Sequence, residues 1–176
     1  MTPAGCLPTK ARQDELPTLS FQILKSAPVQ KSEYTKEDLT ALAEFVLASE
    51  RVAGPVELTL DFISPKKIQA LNRRFRGVDR DTDVIAFRYE APGGFDGDIA
   101  INIPQARIQA KKMRHPARRE IRLLLIHGIL HLLGYTDYEP RPRRRMFIRQ
   151  NQLLRAWENP PKPPFAKGGS KGGFLR

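Results

Sequence analysis

Residues 123–137 read LLLIHGILHLLGYTD, an apolar run in which His127 and His131 stand four positions apart. Side chains at i and i+4 of a helix lie on one face, so both imidazoles can point at one metal ion. Gly134 can end this helix, and Asp137 follows six positions after His131. The pattern therefore predicts a metal site with three ligands, carried by a helix and the turn after it.

The sequence offers more than one candidate for the third ligand of this site. Imidazole nitrogen and carboxylate oxygen both bind zinc at about 2.0–2.2 Å, which makes Asp137 the first candidate. Glu139 and a ligand from elsewhere in the chain remain alternatives. The histidines could also be core residues, but two buried imidazoles on one face would each need a hydrogen-bond partner. We predict that His127, His131 and Asp137 bind the metal.

Gly128, the residue after the first histidine, argues against a peptidase. Zinc proteases with this histidine spacing place a glutamate there as general base. A glycine has no side chain, so a peptidase would lack its base, while a bound metal can still lower the pKa of water to about 7. The sequence therefore predicts a hydrolytic metal site whose substrate is not a peptide bond.

The length and the charge of the chain predict one domain that binds a polyanion. The 176 residues carry a formal net charge of +11, and the sequence pI is about 10.2. Residues 141–176 contain ten lysines and arginines but only one acidic residue, Glu158. A strongly basic protein of this kind commonly binds nucleic acid, although a basic surface can also serve solubility alone.

The cysteine count and the apolar stretches restrict the class of protein further. Cys6 is the single cysteine, which excludes a disulfide framework and a cysteine-based zinc site. The first residues lack the basic and apolar regions of a signal peptide. The apolar run around residues 123–133 is too short to span a bilayer. We therefore predict a cytoplasmic protein without a membrane partner.

Hydrophobic periodicity and capping residues predict an α+β arrangement. Alternating apolar and polar residues predict strands at 19–24 and 56–63, and strand-like segments on either side of the turn at 92–94 predict two more, at 84–89 and 97–102. Helical spacing predicts five helices, at 35–49, 65–74, 104–113, 117–133 and 142–157. The predicted organisation is a disordered lead-in over 1–16, one domain over 17–158, and a basic, Pro/Gly-rich disordered tail over 159–176.

Four segments together resemble one protein family. The segment from His127 to Tyr135 closely resembles the signature of the YbeY family, bacterial single-strand endoribonucleases that act in ribosomal RNA maturation. Residues 71–79, followed by TDVIAF at 82–87, resemble the family's second signature, and GDIAI at 97–101 resembles its third. The pattern from Met146 to Leu154 is similar to its final helix. The resemblance extends over about residues 18–158.

The resemblance implies a single α+β domain, with a four-stranded mixed sheet packed by about five helices. It also implies one bound Zn²⁺ ion, which three histidines hold in the family. His127 and His131 match the first two, and the third position falls on Asp137. Arg76 matches the family's functional arginine, whose guanidinium can hold a phosphate in a bidentate fork.

The function implied by the resemblance is a zinc-dependent, single-strand-specific endoribonuclease. It would act in 16S rRNA 3′ end processing and in ribosome quality control, with RNA, the small ribosomal subunit and its assembly factors as partners. DNA is not an expected partner. Arg76 would clamp the scissile phosphate, and the RNA would lie along a basic cleft built from the helix around Arg107, Lys111 and Lys112. Metal-bound water and a 2′-hydroxyl are equally compatible nucleophiles.

Two other functions remain open at this point. The chain could be an rRNA-binding assembly factor whose metal is structural and whose catalytic activity is small. Four protein ligands at the metal would favour that function, whereas three ligands and an open position favour catalysis. A metalloprotease is the third possibility, and Gly128 argues against it.

Overall fold

The structure, a computed structural model, describes residues 17–160. Its centre is one four-stranded sheet in the order β1-β2-β4-β3. Strands β1, β2 and β4 are parallel, and β3 runs antiparallel to β4. The strand bounds are Thr18–Leu24 for β1, Pro55–Ile63 for β2, Val84–Ala91 for β3 and Gly94–Asn102 for β4. The predicted mixed sheet is thereby confirmed, while the predicted disorder over 1–16 and over 161–176 lies outside the described residues.

Five helices accompany the sheet within residues 17–160, as predicted. Their bounds are Lys36–Ser49 for α1, Pro65–Arg76 for α2, Ile103–Lys112 for α3, Ala117–Leu132 for α4 and Pro140–Glu158 for α5. Among the described residues, no helix has the length and apolar character needed to cross a membrane.

Several element ends differ from the prediction, and two of them have a clear local cause. Helix α2 continues past the predicted end to Arg76, because it stops only where Gly77 adopts a left-handed φ of +69°. Strand β4 begins at Gly94 instead of Gly97, because a tight turn at Pro92 and Gly93 lets Ala91 pair directly with Gly94. The second difference lengthens the β3–β4 hairpin without moving the site.

Side-chain caps explain where two of the helices begin. The Thr35 hydroxyl accepts a hydrogen bond of 3.2 Å from the backbone N–H of Asp38, which confirms the predicted start of α1. The Ser64 hydroxyl accepts one of 3.4 Å from Lys67, with Pro65 in the first turn of α2.

Helix α4 lies at the centre of the core. Ten of its sixteen residues are buried, and it contacts α1, α3, α5, β3 and β4. It lies close to β4 because Gly128 faces the sheet: a Cβ atom added there would lie 2.8 Å from Cγ2 of Ile99. This close packing holds the two histidines of α4 at a constant position relative to the sheet.

Candidate metal centre

The histidines of α4 bring their Nε2 atoms together. His127 Nε2 lies 3.0 Å from His131 Nε2. The Nδ1 atom of His127 lies 2.6 Å from Oε1 of Gln150, and that of His131 lies 3.0 Å from the backbone carbonyl oxygen of Tyr135. Both partners are acceptors, so each Nδ1 carries the proton and donates it. The Nε2 lone pairs are then free for a metal ion.

The turn after α4 brings Asp137 to the same point. Gly134 has a left-handed φ of +88°, and the N–H of Tyr135 donates to the carbonyl of Leu130 over 3.0 Å. The Asp137 carboxylate oxygens then lie 3.9 Å from His127 Nε2 and 4.0 Å from His131 Nε2. The backbone reversal at Gly134 is therefore what returns the carboxylate to the histidine face.

The three ligand atoms fit one metal ion. Among the described residues, His127, His131 and Asp137 are the one group of potential ligands whose atoms all lie within 4.8 Å of one another. Bonds of 2.0–2.2 Å in a tetrahedral site would place the ligand atoms about 3.3–3.6 Å apart. The Nε2–Nε2 separation of 3.0 Å and the carboxylate separations of 3.9 and 4.0 Å fall on either side of that range. Glu139, the alternative carboxylate, is not a member of the group.

The electrostatics of the group favour a metal ion. Burial lowers the pKa of His131, and the neighbouring His127 ring lowers it further, while Asp137 raises it. The neutral imidazole that results is the form that binds metals. The positive charge of Arg76 also lowers the pKa of His131, so the guanidinium lies within electrostatic range of the histidines. Arg76 itself is exposed at the C-terminal end of α2.

Sequence reasoning gave Gln150 no role at the site. Its side chain is 2% exposed, and it accepts the hydrogen bond of His127. The available signal was its place on the apolar face of α5, since Met146, Leu153 and Leu154 share that buried face at helical spacing. A polar residue in such a row has to find a partner in the core.

The basic helix differs from its predicted role at one residue. Arg107 donates from Nε to Glu33 over 2.6 Å, and this bond holds the pKa of Glu33 below its ordinary value. Arg107 therefore ties α3 to the segment before α1, and its charge is neutralised there. Lys111 and Lys112 are exposed and form no ion pair within residues 17–160.

The chain resembles known endoribonucleases over most of its length. The family model described as Endoribonuclease YbeY matches residues 21–158. Endoribonuclease YbeY from Halalkalibacterium halodurans is 38% identical over 117 residues, which cover 59% of this chain and 74% of that protein. The enzyme of the same name from Brevibacillus brevis is 35% identical over 153 residues, covering 77% and 95%.

A solved structure has a similar fold. The solution structure of a Thermotoga maritima protein superposes with a TM-score of 0.54 at 28% sequence identity. The superposition covers 78% of this chain and 89% of that one.

Proposed function

The chain belongs to the endoribonuclease YbeY family and is an RNA-cleaving hydrolase that acts in ribosomal RNA processing. From this premise, we propose that His127, His131 and Asp137 hold one zinc ion, and that this ion takes part in RNA cleavage. The observation that carries the proposal is the convergence of two free Nε2 atoms and one carboxylate at a single point. Hydrogen bonds at both Nδ1 atoms orient the rings toward that point.

The number of ligands supports catalysis over a purely structural metal. Structural zinc sites use four protein ligands, whereas catalytic sites use three and keep a position open. Three potential ligands meet here among the described residues. When bound, a zinc ion supplies Lewis acidity, which polarises a phosphate oxygen and lowers the pKa of a water ligand to about 7. An rRNA-binding factor with a structural metal is therefore the weaker alternative.

Arg76 is proposed to hold the scissile phosphate. A guanidinium is always charged and offers two parallel N–H donors to a phosphate. The side chain is exposed and forms no ion pair within the described part of the chain, so its charge is available to a substrate. Its electrostatic effect on His131 supports a position near the metal ligands. Bound there, it would stabilise negative charge that develops on the phosphate.

Removal of the metal tests the zinc proposal. We expect a chelator to abolish cleavage of a single-stranded oligoribonucleotide, and one equivalent of zinc to restore it. A duplex of the same sequence should resist cleavage under all conditions. The measurement is product formation on a denaturing gel, with the metal content of each sample determined in parallel. Cleavage that persists in fully metal-free protein would contradict the proposal, and RNA binding without cleavage by zinc-loaded protein would favour the assembly factor.

The substitution Arg76→Ala tests the phosphate clamp. We expect kcat/KM for RNA cleavage to fall about 100-fold, because one donor to developing charge is lost. Metal content and melting temperature should stay at the wild-type values, since the side chain is exposed. Arg74→Ala, which removes another exposed arginine of α2, is the matched control and should cleave normally. Equal activity of the two variants would remove Arg76 from the mechanism.

The small ribosomal subunit and its assembly factors stay predicted partners. The cytoplasmic location and the domain limits at residues 17 and 158 also stay predictions. Cosedimentation of the protein with the small ribosomal subunit tests the predicted partner. Absence of the protein from the small-subunit fractions would contradict that prediction.

A further inference from the structure

A cavity of about 320 Å³ opens beside His127, one of the three proposed metal ligands. Residues of α3, α4 and α5 line it, together with Asp83 just before β3. His127 forms part of its wall, as does Gln150, the partner of that histidine. A ligand in this cavity would therefore contact a residue that is proposed to bind the metal ion.

Two exposed apolar side chains line this cavity. Phe147 is 39% exposed, and its ring centroid lies 5.9 Å from that of His127. Met113, also lining the cavity, is 65% exposed. Single exposed apolar residues are common on protein surfaces. An aromatic ring and a thioether beside one cavity and one metal ligand are instead suited to a planar, apolar-faced ligand.

The charged groups of the cavity show what kind of ligand it accepts. Asp83 accepts a hydrogen bond of 2.9 Å from the Gln109 amide, whose Oε1 has no partner among the described residues. Glu120 lies 3.1 Å from Nε2 of His115. The carboxylates of Asp83 and Glu120 repel phosphate but can accept N–H donors. The exposed ammonium of Lys112, in contrast, can hold a phosphate at the cavity.

We propose that this cavity is a nucleobase-binding subsite, in which one base next to the scissile phosphate stacks on Phe147. The proposal rests on the endoribonuclease function proposed above. A base has a flat π-face for the phenylalanine and N–H edges for the acceptors, and it carries no charge. Base–aromatic stacking accepts every base, and it is available only when the base is unstacked. The subsite thus gives a physical reason for preferring single-stranded RNA.

The proposal is tested by removing one partner of the stack at a time. The probe is a fluorescent single-stranded oligoribonucleotide, intact or with one abasic residue at each position in turn. Dissociation constants come from fluorescence anisotropy, recorded before cleavage products accumulate. We expect Phe147→Ala to weaken binding of intact RNA about tenfold. One abasic position should cost the wild type a similar factor and cost the variant nothing more, because the same contact is already lost.

Control variants separate stacking from packing. Phe147→Trp should keep the affinity, whereas Phe147→Leu, which retains apolar volume without an aromatic face, should lose it. Tyr89→Ala removes another exposed aromatic ring, on β3 and outside the cavity, and should bind intact RNA as the wild type does. Melting temperatures confirm that each variant is folded.

Two results would overturn the subsite. One is additive losses from Phe147→Ala and from every abasic position, and the other is unchanged binding in Phe147→Leu. If zinc-dependent cleavage persists alongside either result, the subsite is wrong and the proposed function stands. If the wild type never cleaves RNA but the losses are non-additive at one position, the cavity binds a base and the proposed function fails.

Discussion

His127→Ala is expected to lose the bound metal and at least about 10³-fold in RNA cleavage, since metal catalysis is worth several kcal/mol. The substitution removes one of the three proposed ligands, together with the ring nitrogen that lies 3.0 Å from Nε2 of His131. It also leaves the buried Oε1 of Gln150 without its partner. The measurements are zinc per chain and single-turnover cleavage of a single-stranded RNA.

Substitutions of the third ligand complete this experiment. Asp137→Ala should lower zinc affinity, whereas Asp137→His, which restores the family's imidazole, should retain one ion per chain. Asp96→Ala removes a carboxylate on β4 outside the group and is the matched control. Wild-type zinc affinity in Asp137→Ala would show that another residue is the third ligand. Wild-type cleavage in His127→Ala would end the metal-dependent mechanism.

Gly128→Glu is expected to lower the free energy of unfolding by more than about 4 kcal/mol, or to prevent folding altogether. A Cβ atom at this position meets Cγ2 of Ile99 at 2.8 Å, and Ile99 is itself buried. The glutamate would also carry a carboxylate into an apolar environment with no partner. Urea denaturation followed by circular dichroism measures the loss.

A graded variant separates the two causes. Gly128→Ala adds only a methyl group. Overpacking should lower the free energy of unfolding by about 1–3 kcal/mol, and the higher helix propensity of alanine should raise it by about 1 kcal/mol. Its loss should be far smaller than that of Gly128→Glu. A stable Gly128→Glu protein would show that the position has room for a side chain. The expected result instead means that a protease-type general base cannot occupy this helix position.

Local patterns were sufficient for most of the fold. The capping group of Thr35 and the alternation in β2 depend on neighbours within a few residues, and the structure confirms them. The contacts that sequence reasoning missed join distant residues. Gln150 meets His127 across 23 positions, and Arg107 meets Glu33 across 74. Such pairs form only when helices dock, and periodicity carries no information about which side chains then face each other.

The pairing of His127 with His131 followed from the sequence alone, because backbone geometry places residues four apart on one helical face. The same holds for the chain reversal at Gly134, whose left-handed φ is readily adopted by glycine. Tertiary structure alone decided that Gln150 orients His127, a proposed metal ligand, and that Arg107 pairs with Glu33 inside the domain. It also decided that Ile99 leaves no room for a side chain at Gly128. The physical reason is that these three features depend on how α3, α4 and α5 pack on the rest of the domain, and packing is set by the shapes of many side chains together.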